Sequence, residues 1–131
     1  MIVGMTKYLT ATDVLVIHAK IIDETGGVHG VRDIGRIEAA VERPKAQFGG
    51  RELYPKVFEK AAACFEILAF HHPSIDGNKR AAIANAARFL FINGYELRAN
   101  NKALEQFVLD AVVEKYEIQR IAKWFPLRVP A

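Results

Sequence analysis

Within the stretch His72-Pro73-Ser74-Ile75-Asp76-Gly77-Asn78-Lys79-Arg80, an imidazole, a carboxylate, a glycine, an amide and two cations sit almost side by side. That mixture suits chemistry at a phosphate. A free imidazole titrates near pH 6.5, so His72 is a candidate general base that takes a proton from an attacking hydroxyl. Asp76 offers the hard oxygen through which Mg2+ is held beside substrate phosphates, because Mg2+ keeps most of its waters and needs few protein carboxylates. Gly77 permits a turn that brings backbone N–H groups toward a ligand, and a helix starting after it presents its positive dipole end. Lys79 and Arg80 would lie in that first turn, where acids are preferred, and a bound anion resolves the conflict. Asn78 can donate to a phosphate oxygen. Gly77, Asn78, Lys79 and Arg80 are therefore candidate phosphate binders, and the reaction class is phosphoryl or nucleotidyl transfer. Neither GxGxxG nor a Walker pattern is present, so on residue chemistry alone a polar turn stays open as the other reading.

The elements that must position this loop read as helices. Thr10-Ala11-Thr12-Asp13 has the spacing of a helix N-terminus, and Val14, Ile17, His18, Ile21 and Ile22 follow at helical intervals until Gly26-Gly27. Asp33 can cap a short second helix with Ile34, Ile37, Ala40 and Val41 on one side, stopped by Pro44. After a Gly49-Gly50 turn, Pro55 is placed for the first turn of a long helix carrying Phe58, Phe65 and Leu68, whose many alanines suggest a tightly packed central helix. His72-Pro73 breaks it, since proline disfavours helical geometry in the residue before it. The next helix, about Lys79 to Asn93, is apolar nearly all round and is expected to be the core helix. Helices over about Lys102 to Val113 and Ile118 to Phe125 complete an all-α, compact, single-domain bundle spanning 1–131. Tyr95-Glu96-Leu97 reads as a scrap of strand.

Composition sets the outer limits. The chain has 131 residues, 51% hydrophobic and 25% charged, the balance of one soluble globule. A domain of this size buries roughly two thirds of its unfolded surface and folds without metal or disulfide support. The single cysteine, Cys64, excludes an internal disulfide, reads as a small buried apolar residue, and suits a reducing, cytoplasmic setting. Neither a signal peptide nor a run of about 18 apolar residues is visible, so no membrane association is expected. Met5 is an alternative start, which would make the first four residues a dispensable tail. The formal charge of +3 comes from cations scattered among acids, and no direct nucleic-acid binding is expected.

The loop from His72 to Arg80 resembles the signature of the Fic/Doc superfamily, His-Pro-Phe-x-Asp-Gly-Asn-(Gly or Lys)-Arg, at every defined position except Ser74. Outside it, Tyr8-Leu9-Thr10, Gly30-Val31-Arg32-Asp33, Phe48-Gly49-Gly50 and Asn93-Gly94-Tyr95 are similar to the Doc (death-on-curing) branch. The resemblance implies a Fic-like helical bundle with the motif loop between two central helices, using ATP and Mg2+. Fic enzymes commonly transfer AMP to a target hydroxyl, whereas the Doc branch is similar to a toxin kinase that phosphorylates elongation factor Tu and halts translation. Lys79 stands where AMP-transferring members carry glycine, and Ile83 where they carry a second arginine. Both differences favour the kinase. The resemblance further implies a cognate antitoxin on a separate chain, since the inhibitory pattern Ser/Thr-x-x-x-Glu-Gly/Asn of some Fic proteins is missing.

Ser74 departs from the family, which has an aromatic packed under the loop, and losing a buried Phe side chain typically costs about 3–5 kcal/mol. It stands for divergence, for attenuation of a toxic protein, or for conversion to a catalytically weakened antitoxin-binding module. No companion base marks Ser74 as a nucleophile. Among the other titratable residues, His71 is expected to cap or be solvated, His18 to be a partly buried structural histidine, and His29 to be exposed. Trp124 and Phe125 read as core closure. Arg32, Arg36, Arg43 and Lys45 form either a partner surface or a solvated face.

Overall fold

The computed structural model describes residues 5–130, so the proposed tail of Met1 to Gly4 lies outside the described residues. Helix α1, Ala11–Thr25, starts in a reciprocal cap: the Thr10 hydroxyl accepts from the Asp13 amide while the Asp13 carboxylate accepts from the Thr10 amide. Helix α2, Ile34–Glu42, is capped by Asp33 and runs into a single 3-10 turn, Arg43–Lys45, at Pro44. A short antiparallel hairpin follows, β1 (Gln47–Phe48) and β2 (Arg51–Glu52), turning at Gly49-Gly50. The sequence reading had only the turn, because two-residue strands carry no periodicity to detect.

Helix α3, Val57–Phe70, begins two residues after Pro55, with the Glu59 carboxylate accepting from the Lys56 amide. From Lys60 to Ala69 every residue except Glu66 is buried. This helix is the core, packed against α2, α4 (Asn78–Ile92), α6 (Ile118–Trp124) and, more lightly, α5 (Asn101–Val113). The expectation that α4 would be the core helix is corrected. It buries Ala81, Ala82, Asn85, Ala86, Phe89 and Leu90, but Phe91 is 58% exposed and Ile83 half-buried. Apolar content alone could not tell which side of α4 stays open. The all-α architecture itself stands as expected.

The expected scrap of strand at Tyr95-Glu96-Leu97 is not formed, and the chain there leaves the end of α4. Gly94 adopts φ 93°, its amide donates to the Phe91 carbonyl, and the Tyr95 amide reaches the Leu90 carbonyl at 2.9 Å. That pattern ends a helix by satisfying its last carbonyls. With its amide so used, Tyr95 lays its ring 5.0 Å from Phe58. At the C-terminal end Trp124 stacks on Phe107 with centroids 4.0 Å apart and Phe125 is fully buried, closing the core as expected.

Lys60 is 1% exposed within α3 and donates to Glu52 Oε1 at 2.8 Å and to the Pro44 carbonyl at 3.3 Å. A charge this buried needs such partners, and the bonds tie the hairpin and the turn after α2 to the central helix. Arg43 pairs inward with Glu66 at 3.1 Å and Lys45 with Glu42 at 3.2 Å. The four cations singled out in the sequence therefore do not form one free patch.

Cys64 is buried in α3, and burial pushes its thiol up to about 12. Thiolate is the reactive form, so an aromatic disulfide reagent at pH 8 should leave the native chain unlabelled and react stoichiometrically once it is unfolded in guanidinium. Fast labelling of the native chain would contradict the α3 packing.

Candidate functional site

The residues from His71 to Gly77 form the connection between α3 and α4. His71 ends α3 and is exposed, with its Nδ1 beside the guanidinium of Arg36. His72 takes φ 47°, an uncommon left-handed conformation for a residue with a side chain, and its side chain is exposed. Such backbone strain costs on the order of 1–3 kcal/mol and persists only where the surroundings over-determine it.

The surroundings come largely from another part of the chain. The loop after α1 lies against the motif as a short antiparallel strap: the Arg32 and Asp33 amides donate to the Pro73 carbonyl at 2.8 and 3.0 Å, Ile75 donates to the Gly30 carbonyl at 3.1 Å, and Val31 pairs with Ser74. Ser74 is buried, and the Asn78 side chain brackets it, accepting from the Ser74 amide and donating to its carbonyl, both at 2.9 Å. The loop closes around the serine through these bonds and its pairing with Val31. The Asn78 carboxamide thus holds the loop, with one amide proton left over for another acceptor.

The Asp76 carboxylate receives an N–H on each oxygen, Gly77 on Oδ1 at 2.8 Å and Val28 on Oδ2 at 3.2 Å. These two bonds, with a smaller contribution from Arg80 at 3.8 Å, hold its carboxyl below the usual range. The carboxylate is half exposed and ionised at neutral pH, and each oxygen keeps a lone pair, so it fits the single-carboxylate role through which Mg2+ is held with phosphates. Among the described residues no group of three or more His, Cys, Asp or Glu could form a protein-only metal cage.

Helix α4 starts at Asn78 with Gly77 at φ 73°, and no side chain caps it. Helices α1, α2 and α5 are capped by Thr10, Asp33 and Asn100, α3 has Glu59, and the short α6 starts, like α4, without a side-chain cap. The start of α4 lines a cleft of about 650 Å³, together with His72, Asp76, Lys79 and Arg80 on one side and Leu104, Val108 and Leu109 of α5 on the other. Uncapped N–H groups and the helix dipole make such a terminus an anion site. Lys79 is exposed and makes no hydrogen bond or ion pair among the described residues. Arg80 instead reaches across to the Thr25 hydroxyl and the Gly26 carbonyl at the end of α1. The sequence-derived residues His72, Asp76, Gly77, Asn78, Lys79 and Arg80 all line this one cleft, and Ile83 joins its apolar wall.

Comparison with protein-family models matches residues 8–90 to the Fic/DOC family. The chain belongs to that family. It is 46% identical over 96 residues to Toxin Doc of Mycolicibacterium smegmatis, covering 73% of this chain and 72% of that protein. It is 31% identical over 91 residues to Protein kinase doc of Escherichia phage P1, covering 70% and 71% of the two chains. The matched region holds the strap and the motif loop, whereas part of the cleft wall belongs to α5 beyond it.

Reasoning from sequence missed the residues of the strap. A Cβ on Gly27 would lie 2.6 Å from Asp76 Oδ2, and one on Gly30 would lie 2.5 Å from the Ile75 side chain, both at positive φ. Gly26-Gly27 was read only as a loop, and Gly30-Val31-Arg32-Asp33 only as a resemblance to the Doc branch, with no contact to the motif expected from either. His18 was also underread: it is 4% exposed, and its Nε2 sits 2.7 Å from the Asp76 carbonyl. His29 is exposed as expected, bonded to Asp23 at 2.7 Å. Among the described residues no helix is long and apolar enough to cross a membrane.

Two predictions follow from this geometry. Gly27→Ala should lower stability by about 1–2 kcal/mol through its left-handed backbone, and should also displace the Asp76 carboxylate. Thermal unfolding and the Asp76 carboxyl chemical shift read the two effects. Because Asp76 has its pKa lowered on folding, its contribution is present above the ordinary carboxylate range and fades as pH falls through the folded value. The melting-temperature gap between the natural chain and Asp76→Asn should therefore be widest near pH 7 and shrink below about pH 4.

Proposed function

We propose that the chain is the toxin of a toxin–antitoxin pair and transfers the terminal phosphate of ATP to a hydroxyl of a protein target, with elongation factor Tu as the expected target. The observation that carries this reading is the single cleft in which an exposed imidazole, an ionised carboxylate, an uncapped helix start and an unpaired lysine meet. The names Toxin Doc and Protein kinase doc carried by two relatives support the toxin and kinase parts.

In this reading the apolar wall of Ile83, Leu104 and Val108 receives the nucleoside, and the phosphates run toward the start of α4. The first-turn amides and Lys79 neutralise their charge, a stabilisation aimed at where negative charge builds during transfer. Arg80 adds charge while its tie to Thr25 and Gly26 keeps α1 against the site. Mg2+, held by Asp76 together with the phosphates, supplies further charge neutralisation when bound. The target hydroxyl attacks the terminal phosphorus, His72 takes the hydroxyl proton, and ADP leaves. Phosphoryl transfer needs positioning and electrostatics more than covalent chemistry, which suits a site with no nucleophile of its own.

Transfer of AMP is the second reading, because the same base and anion site serve either phosphorus atom. Lys79 in place of glycine and the apolar Ile83 in place of a second arginine favour the terminal phosphate. The third, a weakened antitoxin-binding module, draws on Ser74, but the closed loop around that residue favours an intact site. A separate antitoxin chain remains the expected partner, and a cytoplasmic setting the expected location.

Incubation with elongation factor Tu and ATP labelled separately on the α and γ phosphates should put only γ label on the target. Transfer of α label alone would replace the kinase by the AMP transferase. His72→Ala should lower the rate by about 100-fold or more with the melting temperature nearly unchanged, as removal of a general base requires.

A further inference from the structure

We propose that His18 is a positioning residue for this site: by gripping the Asp76 carbonyl it fixes the peptide between Asp76 and Gly77, and through that peptide it sets the aim of the Asp76 carboxylate. The inference rests on the reading of Asp76 as the carboxylate that serves the phosphates. His18 lies on α1, far from the motif in sequence, and its imidazole is 4% exposed. A buried polar ring needs a partner, and Nε2 has one in the Asp76 carbonyl at 2.7 Å. A carbonyl oxygen only accepts, so the imidazole carries its proton on Nε2.

The consequence lies on the other side of the same peptide. A trans peptide is planar, and its C=O and N–H point in opposite directions. With the carbonyl held inward by His18, the Gly77 N–H points the other way, onto Asp76 Oδ1 at 2.8 Å. The second oxygen is fixed by Val28. Each carboxylate oxygen is thus held by an N–H, and one of these is itself aimed by the histidine. Without that grip the peptide has room to rotate, because glycine lacks the Cβ that restricts the backbone of other residues. The left-handed Gly77, at φ 73°, is the joint at which such a rotation would occur. The joint cannot be stiffened by a larger residue, since a Cβ there would meet Ile22 Cδ1 at 2.9 Å and lie 3.7 Å from His18 Nε2. Glycine makes the turn possible, and His18 chooses its orientation.

Three variants separate positioning from packing. His18→Met keeps bulk and loses the donor, His18→Gln restores an N–H donor at similar reach, and His18→Asn carries a donor that falls short. The first readout needs no catalysis: amide exchange and the 1H–15N shift of Gly77 in each folded chain. The second is the Mg2+ concentration for half-maximal transfer, with kcat and KM for the protein target measured separately. We expect His18→Met and His18→Asn to speed Gly77 exchange and to raise the Mg2+ requirement by about 10- to 100-fold, the usual effect of losing an outer hydrogen bond to a ligand, with KM for the target unchanged. His18→Gln should return both readouts to near the natural values. A folded His18→Met with an unchanged Gly77 amide overturns the proposal, as does a His18→Gln as impaired as the methionine variant. If His18→Met does not fold, His18→Gln decides: a natural Gly77 amide supports the proposal and an altered one overturns it. If the natural chain transfers no label, the kinase reading falls, and the Gly77 amide still tests His18 by itself.

Discussion

The motif loop cannot hold its own shape. It contains a left-handed histidine, a left-handed glycine and a buried serine, and the bonds that stabilise this arrangement come mostly from α1 and the strap that follows it. The Pro73 carbonyl, the Ile75 amide, the Asp76 carbonyl and the Asp76 carboxylate each find a partner between His18 and Asp33. Strain of this kind is affordable only where many such bonds converge, because each is worth little by itself. The rest of the fold serves that convergence by holding α1 and the α3–α4 junction against one another.

Helix α3 is the fixed frame. It is buried over almost its whole length, and alanine at several of its contacts allows α4 and its other neighbours to lie close. Lys60 extends this frame to the hairpin, and Glu66 to Arg43. Helix α4 begins where that frame ends, with no acid in its first turn and no side-chain cap. A globular protein ordinarily satisfies a helix start with its own side chains, as α1, α2 and α5 do here. Helix α6 also starts without a side-chain cap, but the start of α4 opens into the cleft that also holds His72, Asp76 and Lys79, and that combination is the physical basis for proposing an anionic ligand there.

Serine at position 74 bears on the same point. The family pattern has an aromatic there, yet Asn78 brackets the Ser74 backbone from both sides and Val31 pairs with it. Loop geometry at this position is held by hydrogen bonds from the Asn78 side chain and from the strap. Asn78, read from sequence as a phosphate donor, therefore also has the task of closing the loop.

Sequence alone determined the helical order, the caps at Thr10 and Asp33, the buried cysteine, the break at His72-Pro73 and the cluster of residues from His72 to Arg80. These are local properties, expressed through spacing within a turn or two of helix, so they are written in neighbouring residues. The failures were of two kinds. Tyr95-Glu96-Leu97 looked like strand because an aromatic and a leucine flank a glutamate, whereas the Tyr95 amide is used up in ending α4. The alanines marked α3 as a tightly packed central helix, but α4 was named the core helix because apolar content does not say which face will be covered. Only the tertiary structure brought His18, Val28 and Gly30 to the motif. A histidine at helical spacing looks the same whether it faces a core or another loop's carbonyl, and a glycine cluster looks the same whether it is a free loop or a strap. The partner that distinguishes these cases lies tens of residues away, and the fold alone brings it into contact.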